Sequence, residues 1–151
     1  MDPIDQKILK ELQLDGRLTN QDLSDRVGLS PSPCLRRVRA LEKTGVINGY
    51  SANLNQEACG FPINAFVSVR LDKPNDEVMK KFEKGIQSLS EVLECYLITG
   101  TQDYLLRVVA RSLKSYESFM RNELTKLPHI QSIESSFAFG QVKQQTVLPT
   151  G

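Results

Sequence analysis

Between Ser30 and Lys43 the chain reads SPSPCLRRVRALEK, and the side chains able to do chemistry there are donors and cations: Ser30, Ser32, Arg36, Arg37, Arg39 and Lys43. Arginine can donate two parallel bonds to a guanine edge, and neighbouring cations can neutralise phosphates. A second cluster is Gly100-Thr101-Gln102-Asp103-Tyr104. There Asp103 can accept from an ammonium group, and glycine lets backbone N–H groups approach a carboxylate closely. Taken alone, that run is equally a tight turn with aspartate at a usual turn position.

Other chemistries are poorly served. His129 is the single histidine and follows Pro128, which makes it a surface turn residue and excludes a multi-histidine metal site. Cys34, Cys59 and Cys95 are odd in number, widely spaced and free of any CxxC pair. This argues against a disulfide framework and a structural zinc site. No serine or cysteine motif has a histidine placed as its base, so the expectation is no enzyme, no cofactor and no metal.

The elements that must hold the first cluster are helices. Asp2-Pro3 gives an N-cap with proline at the first helical position, and Ile4, Ile8, Leu9 and Leu12 follow at helical spacing up to Asp15-Gly16. Thr19, with Asp22 three residues on, caps a short second helix that Gly28 closes. Ser30-Pro31 opens a third helix in the manner of Asp2-Pro3, and it runs to Lys43 before Gly45. Stepping about 100° per residue puts Cys34, Val38 and Leu41 within roughly a third of the circle that ends at Leu35. Ser32, Pro33, Arg36, Arg37, Arg39 and Lys43 take the remaining arc. Three helices in this arrangement form a helix-turn-helix, and its basic last helix suits a DNA major groove. Beyond it, Val46, Ile47 and Tyr50 suggest a short strand or wing, Asn48-Gly49 is a turn signal, and Gly60 marks the boundary of a linker.

From Phe61 the period changes. Ala65, Val67, Val69 and Leu71 alternate in a strand. A helix over 76–89 turns Val78, Met79, Phe82, Ile86 and Leu89 inward. Strands at Val92–Thr99 and Asp103–Ala110 flank the 100–102 turn. A helix over 113–127 buries Tyr116, Phe119, Met120, Leu124 and Leu127. A last strand at Ser132–Gly140 puts Ile133, Ser135, Phe137 and Phe139 on one face. The order β-α-β-β-α-β is ferredoxin-like. Two helices cover one sheet face. The other, carrying Phe66 and Tyr96, is expected to pack on a second copy. The expected architecture is therefore α+β: a winged-helix-like helix-turn-helix over 1–60 and a ferredoxin-like βαββαβ domain over 61–151.

Charge agrees with this division. The formal net charge of the 151 residues is only +1. Residues 26–43 nevertheless carry Arg26, Arg36, Arg37, Arg39 and Lys43 against Glu42 alone, while residues 1–25 are net acidic. Any nucleic-acid contact must come from one helix and not from bulk charge. No apolar run approaches the roughly 20 residues of a membrane span, and MDPIDQKILK has no signal-peptide pattern, so a cytosolic protein is expected.

The stretch DPIDQKILKELQLDGRLTNQDLSDRVGLSPSPCLRRVRALEKTGVINGY resembles the N-terminal half of the Lrp/AsnC, or feast/famine, regulators. VLECYLITGTQDYLLRV and VKQQTVLP resemble that family's regulatory domain, so the likeness covers essentially the whole chain. It implies a prokaryotic, cytoplasmic and nucleoid-associated transcription regulator that binds double-stranded DNA. It implies dimers that assemble further, often as an octamer of four dimers. It also implies an amino-acid effector, such as leucine or methionine, held between regulatory domains of neighbouring subunits. By position, Ser30–Lys43 becomes the recognition helix, with Ser30, Ser32, Pro33, Arg36, Arg37, Arg39 and Lys43 as contacts. Gly100, Thr101, Asp103 and Tyr104 become the effector loop, with Ser135 and Ser136 nearby. The alternatives are a DNA-organising protein of the same fold that needs no effector, and a small enzyme or sensor built on the sheet domain. The basic arc on the third helix argues against the latter.

Overall fold

The computed structural model describes residues 1–149 and divides into two compact units, Met1–Asn53 with the tail from Val142, and Leu54–Gln141.

The first unit is helical: α1 (Pro3–Leu14), α2 (Asn20–Val27) and α3 (Pro31–Lys43). Asp2 caps α1 by accepting from the N–H groups of Ile4 and Asp5, and the Asp5 carboxylate returns a bond to the Asp2 N–H, which completes a capping box. Gly28 ends α2 in the left-handed region at φ 75°, where a side chain would be strained, and so allows the sharp turn into α3. Ile8, Leu9, Leu23, Val27, Cys34 and Leu41 form the core, with Val38 and Ile47 packed against it. The short strand expected at Val46, Ile47 and Tyr50 does not form, and Asn48-Gly49 makes no turn. Among the described residues this unit contains no other strand to pair with, and the segment instead ties back through the Ile47 N–H to the Leu41 carbonyl.

The second unit is a four-stranded antiparallel sheet in the order β2-β3-β1-β4, formed by β1 (Ile63–Leu71), β2 (Val92–Leu97), β3 (Tyr104–Ala110) and β4 (Ile130–Phe137). Helices α4 (Asp76–Ile86) and α5 (Leu113–Asn122) complete it, with a 3-10 turn at Leu124–Lys126. Ala65, Val67, Val69 and Leu71 alternate inward on β1 as expected and meet Phe82 of α4 and Tyr116 and Phe119 of α5. β4 ends at Phe137, so Phe139 lies beyond the strand and is fully exposed rather than sharing its face.

The break between units falls at 53/54, ahead of Gly60. Gln56 explains this, because its amide nitrogen donates to the Phe61 carbonyl (2.7 Å) while its oxygen accepts from Arg107 of β3 (3.0 Å). Arg107 also reaches Asn64 of β1 and Glu94 of β2, and the Arg111 guanidinium covers the Phe61 ring at 4.7 Å. The linker's second half therefore belongs to the sheet unit.

Candidate nucleic-acid interface and effector loop

α3 is held by its neighbours at its start. Thr19 accepts from the Asp22 N–H (3.1 Å) and donates to the Asp22 carboxylate (2.6 Å). One residue later, the Asn20 amide donates to the Pro31 carbonyl (2.9 Å), hooking the first turn of α2 to the first turn of α3. Ser30 occupies the N-cap position with extended backbone, yet its hydroxyl makes no capping bond, unlike Asp2. That hydroxyl and the exposed Ser32 hydroxyl are left to face outward.

Ser32, Arg36, Arg39 and Lys43 are spaced four, three and four residues apart, so they form one stripe along α3. All four are exposed, and Arg36, Arg39 and Lys43 make no ion pair among the described residues. Pro33 is half-buried at the stripe's start and Cys34 is fully buried, as its angle implies. Leu35, at the edge of the apolar arc, remains 37% exposed beside the stripe.

Arg37 is placed differently. Its Nη1 donates to Asp2 Oδ2 at 2.7 Å and to Asp5 Oδ1 at 2.8 Å, so α3 is clamped to the capping box of α1. The Asp2 carboxyl is held below its ordinary value, first by the Asp5 N–H and then by the Arg37 guanidinium. The guanidinium proton is held more tightly in turn, by Asp2 and then Asp5. Sequence periodicity puts Arg37 on the outward arc, but only the fold brings the two aspartates to it.

The loop over 98–103 joins β2 to β3. Gly100 lies at φ 112° and its surroundings are open. The N–H groups of Gly100, Thr101 and Gln102 bond to no protein acceptor among the described residues, so they are available to an anion. Asp103 is tied to β1 through one carboxylate oxygen: its Oδ2 accepts from the Leu71 N–H (2.7 Å), and its own N–H donates to the Val69 carbonyl (2.9 Å). Gln102 is a residue the sequence reading passed over. Its side-chain carbonyl oxygen is buried and has no partner among the described residues. No sequence signal marks it, because an amide in a turn is ordinary.

Tyr104 is not on the loop's open side. It is 1% exposed, its ring lies 4.6 Å from that of Phe82, and its hydroxyl donates to Glu83 at 2.7 Å. Burial first, and Glu83 second, push that hydroxyl well above its ordinary value. As the first residue of β3, its side chain falls on the core face, which alternation dictates. Ser135 and Ser136 separate for the same reason. Ser135 sits opposite Val67 on the helix-covered face and accepts from the Tyr116 hydroxyl at 2.6 Å, whereas Ser136 pairs with Phe66 on the open face. β4 and the loop also flank β1 from opposite sides, with the loop at the Val69 end. Within one chain, the loop and the serines are not brought together.

The open sheet face carries Phe66 and Tyr96, both exposed, around the Arg107–Glu94 ion pair. Among the described residues no group of three or more His, Cys, Asp or Glu side chains could hold a metal ion, and no helix is long and apolar enough to cross a membrane.

Comparison with known proteins places these features. Residues 1–48 match a winged helix-turn-helix DNA-binding model, and residues 64–148 match the Lrp/AsnC ligand binding domain. The chain is 42% identical over 149 residues to the Bkd operon transcriptional regulator of Pseudomonas aeruginosa, covering 99% of this chain and 97% of that one. It is 44% identical over 143 residues to the leucine-responsive regulatory protein of Rhizobium meliloti, covering 95% and 92%. Among solved structures, a transcriptional regulator from Neisseria meningitidis in complex with L-Met superposes with a TM-score of 0.94 at 38% identity, covering 99% and 96%.

Proposed function

Since the chain belongs to the Lrp/AsnC family of transcription regulators, we propose that it reads a specific DNA site through α3 and responds to a small apolar amino acid, such as leucine or methionine, at the 100–102 loop. The observation that carries the DNA reading is the stripe of Ser32, Arg36, Arg39 and Lys43, whose three cations are engaged by no carboxylate among the described residues. The cations of such a stripe suit phosphates, and an arginine among them can also reach a guanine edge. Ser30 and Pro33 stand where α3 would enter the groove. Arg37 acts as a positioning residue that fixes the angle of α3 against α1.

The unpaired N–H groups of the loop suit an effector carboxylate, and the unpartnered Gln102 oxygen suits its ammonium group. Asp103 supports the loop through Leu71, and Thr101 lines it. Ser136, on the open face, would act from a neighbouring copy, since it lies away from its own loop. The relatives named for leucine response and the neighbour solved with L-Met support this class of effector. The open face with Phe66 and Tyr96 supports a dimer through the sheet, on which larger assemblies such as an octamer are built, in the cytoplasm at the nucleoid. Thermal-shift titration with each of the twenty amino acids, beside a gel-shift on the protein's own upstream region, tests the reading. A rise in melting temperature with leucine or methionine is expected, because a ligand bound only to the folded state stabilises it. DNA binding with no response to any amino acid would leave the effector-independent DNA-organising protein.

A further inference from the structure

The helical unit carries an apolar groove that DNA reading does not use. It encloses about 410 Å³ between Leu9, Leu12 and Gln13 of α1 and Val46, Ile47 and Tyr50 after α3. Leu148 of the tail also lines it. A single side chain reads the backbone of Leu148 on both sides. The Leu148 N–H donates to Gln13 Oε1 at 2.6 Å, and Gln13 Nε2 donates to the Leu148 carbonyl at 3.3 Å. An amide that offers one acceptor and one donor to one residue's N–H and C=O makes the pairing a neighbouring strand would make. The hold is directional more than hydrophobic, since Leu148 leaves 69% of its surface to solvent.

The walls of the groove brace α3. Tyr50 donates its hydroxyl to Glu42 in the last turns of α3 (3.0 Å), and α1 carries the Asp2–Asp5 pair that holds Arg37. A chain lying across α1 and the 46–50 segment therefore touches both supports of the reading helix. We infer that the C-terminal tail is a docking strap for the helix-turn-helix unit, with Gln13 as its receptor and Leu148 as its anchor. The strap keeps residues 46–50 against α1 and so steadies the end of α3. The hold on the tail is non-covalent and consists of the two Gln13 hydrogen bonds, so it can open and close.

The test compares the full chain with Gln13→Ala, Gln13→Glu and a chain ending at Gln141. Lys143 is exposed in the tail and offers trypsin a cut. A protease must draw several residues into extended form, which a docked Leu148 resists. Cleavage after Lys143 is expected to accelerate on the order of fivefold in Gln13→Ala. Gln13→Glu keeps the acceptor for Leu148 and loses the donor, so it should fall between. Amide exchange at residues 44–50 and in the last turn of α3 should rise in Gln13→Ala and in the truncated chain, with α5 unchanged as the internal control. Unaltered exchange at 44–50 in both would overturn the strap. So would a change that appears only together with a change in sedimenting mass, since that assigns the tail to contacts between copies. Neither readout uses DNA, so failure here is distinct from failure of the DNA reading.

Discussion

The separation of Arg37 from the other cations of α3 makes a quantitative prediction about salt. Arg36, Arg39 and Lys43 make no ion pair among the described residues, three per chain and hence six in the proposed dimer. Each phosphate neutralised contributes about −0.9 to the slope of log affinity against log salt, so six contacts give a slope of about −5. A rise from about 50 to 200 mM salt then weakens binding by roughly a thousandfold. Replacing Arg36 or Arg39 with alanine removes two contacts from the dimer and should flatten the slope by about 2, with the melting temperature little changed. Arg37→Ala should behave oppositely. Its guanidinium is spent on Asp2 and Asp5 at 2.7 and 2.8 Å, and with 31% of its side chain exposed it has little freedom to reach a phosphate. The slope should stay at the wild-type value, while affinity drops about equally at every salt concentration and the helical unit melts a few degrees lower. Fluorescence anisotropy of a labelled upstream duplex over a salt series, with calorimetry of the same variants, measures both quantities. If Arg37→Ala flattens the slope as much as Arg36→Ala, the clamp opens on DNA and the positioning role is wrong.

Three further outcomes are expected. Asp2 titrates below its ordinary value, so its contribution is complete above the unfolded carboxyl value of about 4 and is lost as pH falls through the folded one; the melting temperature should decline below about pH 4, and Asp2→Asn should remove part of that decline. Among the thiols, Cys59 is exposed, burial pushes Cys95 to about 11, and burial raises buried Cys34, so a thiol reagent at about pH 8 should modify one cysteine per chain quickly, and two fast equivalents would contradict this. Tyr104→Phe removes the bond to Glu83 from a core residue; unfolding titrations should show a loss of about 1 kcal/mol with effector affinity within about twofold, whereas a large loss of affinity would put Tyr104 back in the effector site.

Legibility in the sequence followed the range of the forces involved. Asp2, Thr19 and Gly28 act within a few residues of themselves, and the helix ends they imply are where the structure has them. The inward alternation of β1 was equally open to reading, because one face of a strand is set by period two. Legibility ends where a residue's partner is remote in sequence. No strand forms at Val46, Ile47 and Tyr50 because β-propensity there needs a second strand, and the helical unit offers none among the described residues. Ser135 and Ser136 are adjacent in sequence yet face opposite sides of the sheet, a separation that follows from their register with Val67 and Phe66. Tyr104 has the composition of a loop residue and the alternation of a core residue, and the packing against Phe82 decided between them.

By itself the sequence determined the helices of the first unit, the order of helices and strands in the second, the basic helix and the family to which the chain belongs. These rest on periodicity, local capping and motif, which are properties of neighbouring residues. The tertiary structure alone decided that Arg37 pairs with Asp2 and Asp5, that Asp103 bonds the Leu71 N–H, and that a glutamine on α1 grips the tail 135 residues away. Each of those is a hydrogen bond or ion pair closed across a long loop of chain. Its partner is chosen by how helices and strands pack, and no local pattern records that choice.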